Sequence, residues 1–248
     1  MSQDYKILHS YSVGSTNDLA EATLSREAVD EFTVFFADYQ TNGKGIGHNI
    51  WESNMGENLL ISIVLHPVFL NPADQFMINK IVSLGVCKCL DKYITGQRIT
   101  IKWPNDVWVG FGKIAGILSR NLIMGNRFET CIVGIGLNIN QQNFSPEIPN
   151  PVSMYQIAHR AFDRNEVLKQ LIDDVKHFYS LLKKNLIDTI NQYYLERLLF
   201  YNTSATFIAD DQEFTGIIKG VDEFGLLLVE VEENVRRYNI KDIYLKVH

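Results

Sequence analysis

The sequence predicts an α+β protein, a mixed sheet packed against helices, followed by a small β-barrel. Three observations carry that expectation. Apolar strand-like segments come in runs rather than alternating one by one with helices, which separates an α+β layer from a βαβ array. Two long stretches with helical spacing, residues 71–93 and 165–184, supply a covering layer. From residue 201 the texture changes to short alternating segments, SATFIA, EFTGIIKGV, GLLLVEV and VRRYNI, split by Asp210-Asp211 and Glu223-Phe224-Gly225. At 248 residues the chain holds one main domain and such an appendage, which we divide at 1–199 and 200–248. No Ser- or Gly-rich linker separates them, so the barrel is expected to dock rather than hang free.

Taken in order, residues 15–28 (STNDLAEATLSREA) read as a helix opened by Ser15, with Asp18 three residues on as its capping-box partner. Residues 32–37 and 58–65 (NLLISIVL) read as buried strands. In 71–93 the positions Phe76, Ile78, Ile81, Leu84, Val86 and Leu90 cover enough of the circumference for a helix buried between layers. Residues 98–102, 113–121 and 127–135 follow as strands, the last two joined at Met124-Gly125-Asn126. Residues 141–152, with Pro146, Pro149 and Pro151, form a loop. Residues 165–184 place Val167, Leu171, Val175, Phe178 and Leu182 on one face, and 187–200 reads as a further helix.

Composition narrows the function classes. With 46% hydrophobic and 21% charged residues the chain is an ordinary globular protein, and no apolar run approaches the roughly 18 residues of a spanning helix. The start, MSQDYKILHS, lacks the basic and apolar regions of a secretory signal, so a cytoplasmic location is expected. Cys87, Cys89 and Cys131 are odd in number and lie among apolar residues, which fits buried thiols in a reducing compartment. Cys87-x-Cys89 lacks the second ligand pair of a metal site. A net charge of −6 without a basic stripe or finger spacing argues against a nucleic-acid binder.

Five short stretches carry chemistry. Residues 40–51, QTNGKGIGHNIW, set Gly43, Gly45 and Gly47 on alternate positions beside Lys44. They match neither a P-loop nor a dinucleotide fingerprint, and read as a hairpin tip or as a loop whose amides approach a ligand. Lys102-Trp103-Pro104-Asn105-Asp106 concentrates a cation, a stiff Trp-Pro, an amide and a carboxylate, types that suit phosphate and Mg²⁺; the plainer reading is a strand ending in a turn. Lys113 opens the apolar strand GKIAGIL, either as a snorkelling edge residue or as a ligand-binding cation near Asp106. GIGLNIN at 134–140 ends a strand with small residues. Ser15-Thr16-Asn17 offers hydroxyls and an amide at a helix N-terminus, beyond what a cap requires.

The order of these stretches, STN, Q-x-x-G-K-G with a later tryptophan, G-x-N-L-x-x-S, KWPND, KIAGIL and GIGLN, then a small barrel, resembles a biotin protein ligase from Ser15 to the C-terminus. The resemblance implies a class II synthetase-like catalytic domain with an SH3-like C-terminal barrel. It implies ATP- and Mg²⁺-dependent activation of biotin as biotinyl-5′-AMP and its transfer to a lysine of a biotin carboxyl carrier protein. It is closest to short members without a DNA-binding domain, so no nucleic-acid or membrane partner is expected, and monomer and homodimer both stay open. Carried over, it assigns Ser15, Thr16, Asn17, Gln40, Lys44, Gly45, Ile46, Lys113 and Gly116 to biotin and its acyl-phosphate. Lys44, Lys102 and Lys113 become the catalytic cations, Trp51, Asn138 and Lys102 the nucleotide contacts, and Asp106 the metal ligand. Residues 40–51 are expected to close over the adenylate.

Members of that family usually carry several arginines in this loop. Here Lys44 replaces the first, Ile46 and Gly47-His48 interrupt the rest, and Arg120 follows GILS where an acidic residue is usual. A looser hold on the adenylate is the expectation. The rival readings are a lipoate–protein ligase, and a biotin-binding protein weakened in catalysis.

Overall fold

A computed structural model describes residues 5–47 and 49–246; His48, one of the departures noted above, lies outside them. The main sheet has seven strands in the order β1-β2-β3-β7-β6-β5-β4. They are β1 (Lys6–Val13), β2 (Thr33–Gln40), β3 (Leu59–Leu65), β4 (Ile99–Lys102), β5 (Asp106–Val109), β6 (Gly112–Met124) and β7 (Arg127–Leu137). β1 and β2 are parallel and every other neighbouring pair is antiparallel, so the sheet is mixed.

Helices lie on both faces, which explains why the strands are apolar without clean alternation. On β2, Val34 and Phe36 enter the large core with Ile61, Ile63, Ile81 and Val133, while Phe35 points the other way to Ala20, Val64 and Ile132. The smaller cluster lies beneath α1 (Thr16–Leu24). The larger is closed by α2 (Phe76–Asp91) and α4 (Arg164–Lys183), with α3 (Met154–Ala158) between strands and α4 in sequence. α2 is buried almost all round. Its Gly85 lets the helices meet, since a Cβ there would lie 2.9 Å from Val175 Cα. α5 (Ile187–Arg197) leads to a second, antiparallel sheet ordered β11-β10-β9-β8-β12. Its strands are β8 (Ser204–Ala209), β9 (Gln212–Val221), β10 (Leu227–Val231), β11 (Asn234–Tyr238) and β12 (Tyr244–Leu245). No helix among the described residues is long and apolar enough to cross a membrane.

Several boundaries differ from the sequence reading, each for a local reason. The stretch 71–93 divides: Pro72–Asp74 is a 3₁₀ turn whose Asn71 side chain accepts from Ala73 N–H, and α2 starts after it. The last helix stops at Arg197 rather than at residue 200, because Leu198 is extended and Leu199 N–H bonds the Ile101 carbonyl along the edge of β4. β1, β5 and α3 had no sequence signal. β1 is a half-exposed edge strand, β5 has four residues, and α3 is one turn held by the capping box Ser153/Gln156. The capping box expected at Ser15 and Asp18 does not form: Ser15 is the N-cap residue but its side chain makes no cap bond, and Asp18 is engaged elsewhere. The three cysteines are buried free thiols, and burial pushes each up to about 12.

Candidate functional site

β1 hands the chain to α1 beside the ends of β2 and β3, and four polar side chains meet there. Gln40 Oε1 accepts from Thr16 N–H (2.7 Å) and Thr16 Oγ1 (3.1 Å), so a side chain from β2 satisfies the helix N-terminus that Ser15 leaves open. Ser62 Oγ, fully buried on β3, lies 2.7 Å from Thr16 Oγ1 and 2.6 Å from Asn17 Oδ1. Asn17 Nδ2 donates to the Leu118 carbonyl of β6 (3.0 Å). The large majority of buried polar groups are bonded in this way.

The floor beneath is a strip of sheet without side chains. Gly134 and Gly136 stand two apart on β7 and face the same way, and Gly116 of β6 is the register partner of Gly136. A Cβ on Gly134 would lie 2.7 Å from Asn17 Oδ1. A Cβ on Gly116 would lie 2.9 Å from the Trp51 indole, and one on Gly136 would collide with it. These glycines serve close approach: Asn17 covers one end of the strip and Trp51 the other.

Residues 40–47 and 49–51 fold over this floor as a hairpin. Lys44 pairs with Ile50, Gly45 N–H bonds the Asn49 carbonyl (2.8 Å), and Trp51 N–H bonds the Gly43 carbonyl (3.1 Å). Lys44 Nζ lies 2.8 Å from Asp18 Oδ2, and Arg120 Nη2 lies 2.8 Å from Asp18 Oδ1. Arg120 also reaches Glu21 Oε2 (2.6 Å). Burial pushes the Asp18 carboxyl up, but its bonds to Lys44 and Arg120 outweigh that and leave it below the usual carboxylate range.

KWPND is the β4–β5 hairpin, with Lys102 and Asp106 in register across it and a cis Trp103–Pro104 peptide between. Asn105 clamps the turn to β6, donating to the Ile117 carbonyl (2.7 Å) and accepting Ile117 N–H (3.0 Å) on its own carbonyl. Lys113 Nζ meets Asp106 Oδ1 at 2.8 Å and stands 5.5 Å from the centre of the Trp51 ring. That oxygen makes the ion pair but no aligned hydrogen bond. The Lys113 backbone is tied to the proline-containing loop at Asn150 and Val152. Lys102 Nζ lies over the Trp108 ring, 4.6 Å from its centre. Burial holds the Lys102 ammonium below its usual pKa; Asp106 pulls the other way without offsetting it, and Lys113 adds to the depression.

One cleft therefore gathers Ser15, Thr16, Asn17, Gln40, Lys44, Gly45 and Ile46 with Trp51, Asp106, Lys113 and Gly116. Lys102 and Asn138 do not line it. Asn138 lines an adjoining cleft with Trp51, Lys113, Phe144 and Pro149, and its amide donates to the Val152 carbonyl (3.0 Å) while its Oδ1 is buried without a partner. The described residues hold no cluster of three metal-ligating side chains. Asp106 is a single carboxylate, which fits Mg²⁺ only where a substrate's phosphates complete the shell.

Sequence reading did not name Ser62, Asp18 or Arg120 as site residues. Ser62 had a signal, being the one hydroxyl inside LLISIVL. Asp18 was read as a cap and Arg120 as a departure, because their meeting depends on how α1 lies on the sheet beside β6.

Residues 10–138 match the Biotin/lipoate A/B protein ligase family, and residues 206–245 match the Biotin protein ligase C terminal domain. The bifunctional ligase/repressor BirA of Bacillus subtilis is 27% identical over 246 residues, covering 95% of this chain and 73% of its own. The biotin–[acetyl-CoA-carboxylase] ligase of Mycobacterium tuberculosis is 25% identical over 223 residues, covering 88% and 80%. The biotin protein ligase of Aquifex aeolicus, solved with biotin and ATP, superposes with a TM-score of 0.81 at 25% identity over 97% of this chain and 98% of that one. With the family match spanning α1, the glycine loop, KWPND and the glycine floor, this chain belongs to the biotin/lipoate A/B protein ligase family.

Proposed function

We propose that this chain is an ATP-dependent ligase that activates biotin as biotinyl-5′-AMP and transfers it to a lysine of a biotin carboxyl carrier protein. The observation that carries this reading is one cleft in which the bonded polar side chains of Thr16, Asn17 and Gln40, beside Ser15, adjoin Lys113 and Asp106 beneath the glycine hairpin. Relatives described as biotin ligases, one of them solved with biotin and ATP, support it. In this reading residues 1–199 form the catalytic domain and 200–248 the C-terminal domain, and the reaction takes place in the cytoplasm.

The chemistry follows from the charges. A carboxylate and a triphosphate repel, so the first step needs cations at their meeting point. Biotin's carboxylate oxygen attacks the α-phosphorus, a P–O bond forms, and the bond to pyrophosphate breaks. Lys113 and Lys44, which line the cleft, offset charge on the oxygens, and Lys102 adds its field from outside that lining; no protein nucleophile is required. The depressed pKa of Lys102 reflects a desolvated cation, whose field acts more strongly than in water. Asp106 would hold Mg²⁺ together with the phosphates, and the ion would supply further charge neutralisation. In the second step the carrier lysine's amine attacks the acyl carbon, the C–O bond to AMP breaks, and an amide forms. The hairpin of residues 40–51 keeps water from the anhydride between steps.

Biotin-dependent exchange of pyrophosphate into ATP tests the first step, with lipoate as the control. Labelled biotin appearing on a carrier domain tests the second. Exchange supported by lipoate and not by biotin would replace this reading with the lipoate one; biotin binding without exchange would leave a binding protein.

A further inference from the structure

The C-terminal sheet touches the main domain at the β9–β10 turn, and that turn grips the motif bearing Lys102 and Asp106. Asp222, nearly buried, accepts backbone N–H bonds from Phe224 (3.0 Å) and Leu226 (2.9 Å) on Oδ1, closing the turn around itself. Its backbone N–H bonds the Leu226 carbonyl (3.0 Å), and Gly225 N–H bonds the Asp222 carbonyl (3.1 Å). Gly225 has φ +89°, a left-handed conformation that favours glycine, and a Cβ there would lie 2.6 Å from the Phe76 ring of α2. From that position its carbonyl accepts the buried Trp103 indole N–H at 2.9 Å. Four residues beyond Phe76, Lys80 is buried between the Phe76 and Tyr194 rings and donates to Asn191 (2.9 Å), with Asp222 and Glu223 the carboxylates acting on it. The joint is thus packed and bonded on both sides.

We infer that the turn at residues 222–226 is a positioning element for the adenylation step, acting through Trp103 on Lys102 and Asp106. Trp103 lies inside the hairpin whose first and last residues are those two, and they are register partners across it. Fixing the indole fixes the hairpin's corner, and with it where Lys102 meets Trp108 and Asp106 meets Lys113. In this role the turn serves the reaction without itself lining the cleft of Lys113 and Asp106. A small displacement of reacting groups lowers rate more than it lowers binding, so kcat should carry the effect. This inference rests on the proposed ligase reading for its rate measurement alone.

The test compares Trp103→Phe, which keeps the ring and deletes the donor, with Asp222→Ala and Asp222→Asn, the last of which retains Oδ1. In the full-length chain, W103F and D222A are expected to lower kcat for pyrophosphate–ATP exchange by about tenfold to a hundredfold with biotin Kd unchanged, and D222N to restore most of it. The three tryptophans give three indole N–H resonances in a ¹⁵N-labelled sample. D222A is expected to shift the signal of Trp108, on which Lys102 lies, together with that of Trp103. Wild-type exchange rates in W103F and D222A would overturn the inference. So would an equal loss of biotin affinity with Trp108 unmoved, which is what general loosening produces. If the unmutated chain shows no exchange, the ligase reading fails separately, and the Trp108 shift in D222A still decides whether the turn positions the hairpin.

Discussion

Adding one methyl group at either of two glycines on β7 should give different results, because the groups above them differ in freedom to move. In Gly134→Ala the new Cβ would lie 2.7 Å from Asn17 Oδ1 and 2.8 Å from its Nδ2. Asn17 is buried and held from both ends, by Ser62 at 2.6 Å and Leu118 at 3.0 Å, so it cannot retreat without losing those bonds. Overpacking costs about 1–3 kcal/mol and each of the two lost hydrogen bonds about 1 kcal/mol, giving roughly 3–5 kcal/mol in total. For a chain of this size 1 kcal/mol moves Tm by about 2–4 °C, so G134A should melt about 6–20 °C lower. In Gly136→Ala the Cβ meets the Trp51 indole instead, and Trp51 belongs to a half-buried hairpin that can lift. We expect a penalty of about 1 kcal/mol or less there, with Tm within about 4 °C of the parent. Thermal melts by circular dichroism, paired with calorimetric titration of biotin, separate the two. G134A should lose biotin binding along with stability. Equal melting shifts in both variants, or a G134A variant that melts like the parent, would refute the rigid-roof argument.

The other expectations concern charge. Lys113→Ala should lower pyrophosphate–ATP exchange by about 10²- to 10³-fold, while Tm changes little because the pair with Asp106 is partly exposed; a thermal loss matching the rate loss would mean the pair is structural. Asp18→Asn should slow release of labelled biotinyl-AMP, since Lys44 and Arg120 lose the carboxylate that neutralises them, and the effect should fade in high salt. A release rate indifferent to both substitution and salt would count against it. Lys80 predicts a pH dependence. Burial lowers its pKa from 10.5 to about 8, so between those values the unfolded chain holds a proton that the folded chain lacks, and folding stability rises with pH. The gain is at most about 3 kcal/mol across the window. Burial raises the cysteine thiols, which opposes this above pH 9, so the comparison is urea unfolding of the parent against Lys80→Met: the parent should gain on the variant from pH 8 to 10. Parallel curves would show that Lys80 stays protonated.

The fold was legible wherever burial left a long pattern. α2 and α4 follow from the spacing of their apolar residues, and β3 and β7 from apolar runs, because these segments contact the core along most of their length, while β6 shows its apolar run only at Ile114, Ala115 and Ile117. β1 was not legible: half-exposed along its length, it is a strand because β2 offers it a parallel edge. β5 was hidden because Asp106 reads as the end of a turn, whereas its register with Lys102 and Gly116 makes it the start of a strand. At the site, residue types and order identified KWPND and the glycine loop, but not which side chains would spend their hydrogen bonds on one another. Thr16, Asn17 and Gln40 are engaged with Ser62, Leu118 and each other, so part of what resembles a ligand-binding set also builds the pocket wall.

By sequence Lys44 was the loop's one fixed cation. In the fold Arg120 stands beside it, lining the cleft at the hairpin's outer face, so the arginine absent from the loop has a neighbour on β6. That does not restore an arginine-rich loop, because Asp18 and Glu21 come with it: two cations face two carboxylates, and these four formal charges cancel. A phosphate approaching Lys44 must compete with a carboxylate already at 2.8 Å, whereas Lys102 is partnered mainly by the Trp108 ring. Charge stabilisation should therefore rest on the KWPND side of the cleft more than on the hairpin. Removing Lys44 should then cost less in exchange rate than removing Lys102, and a variant of Lys44 that loses exchange as completely as Lys102→Ala would show that Asp18 yields to the ligand.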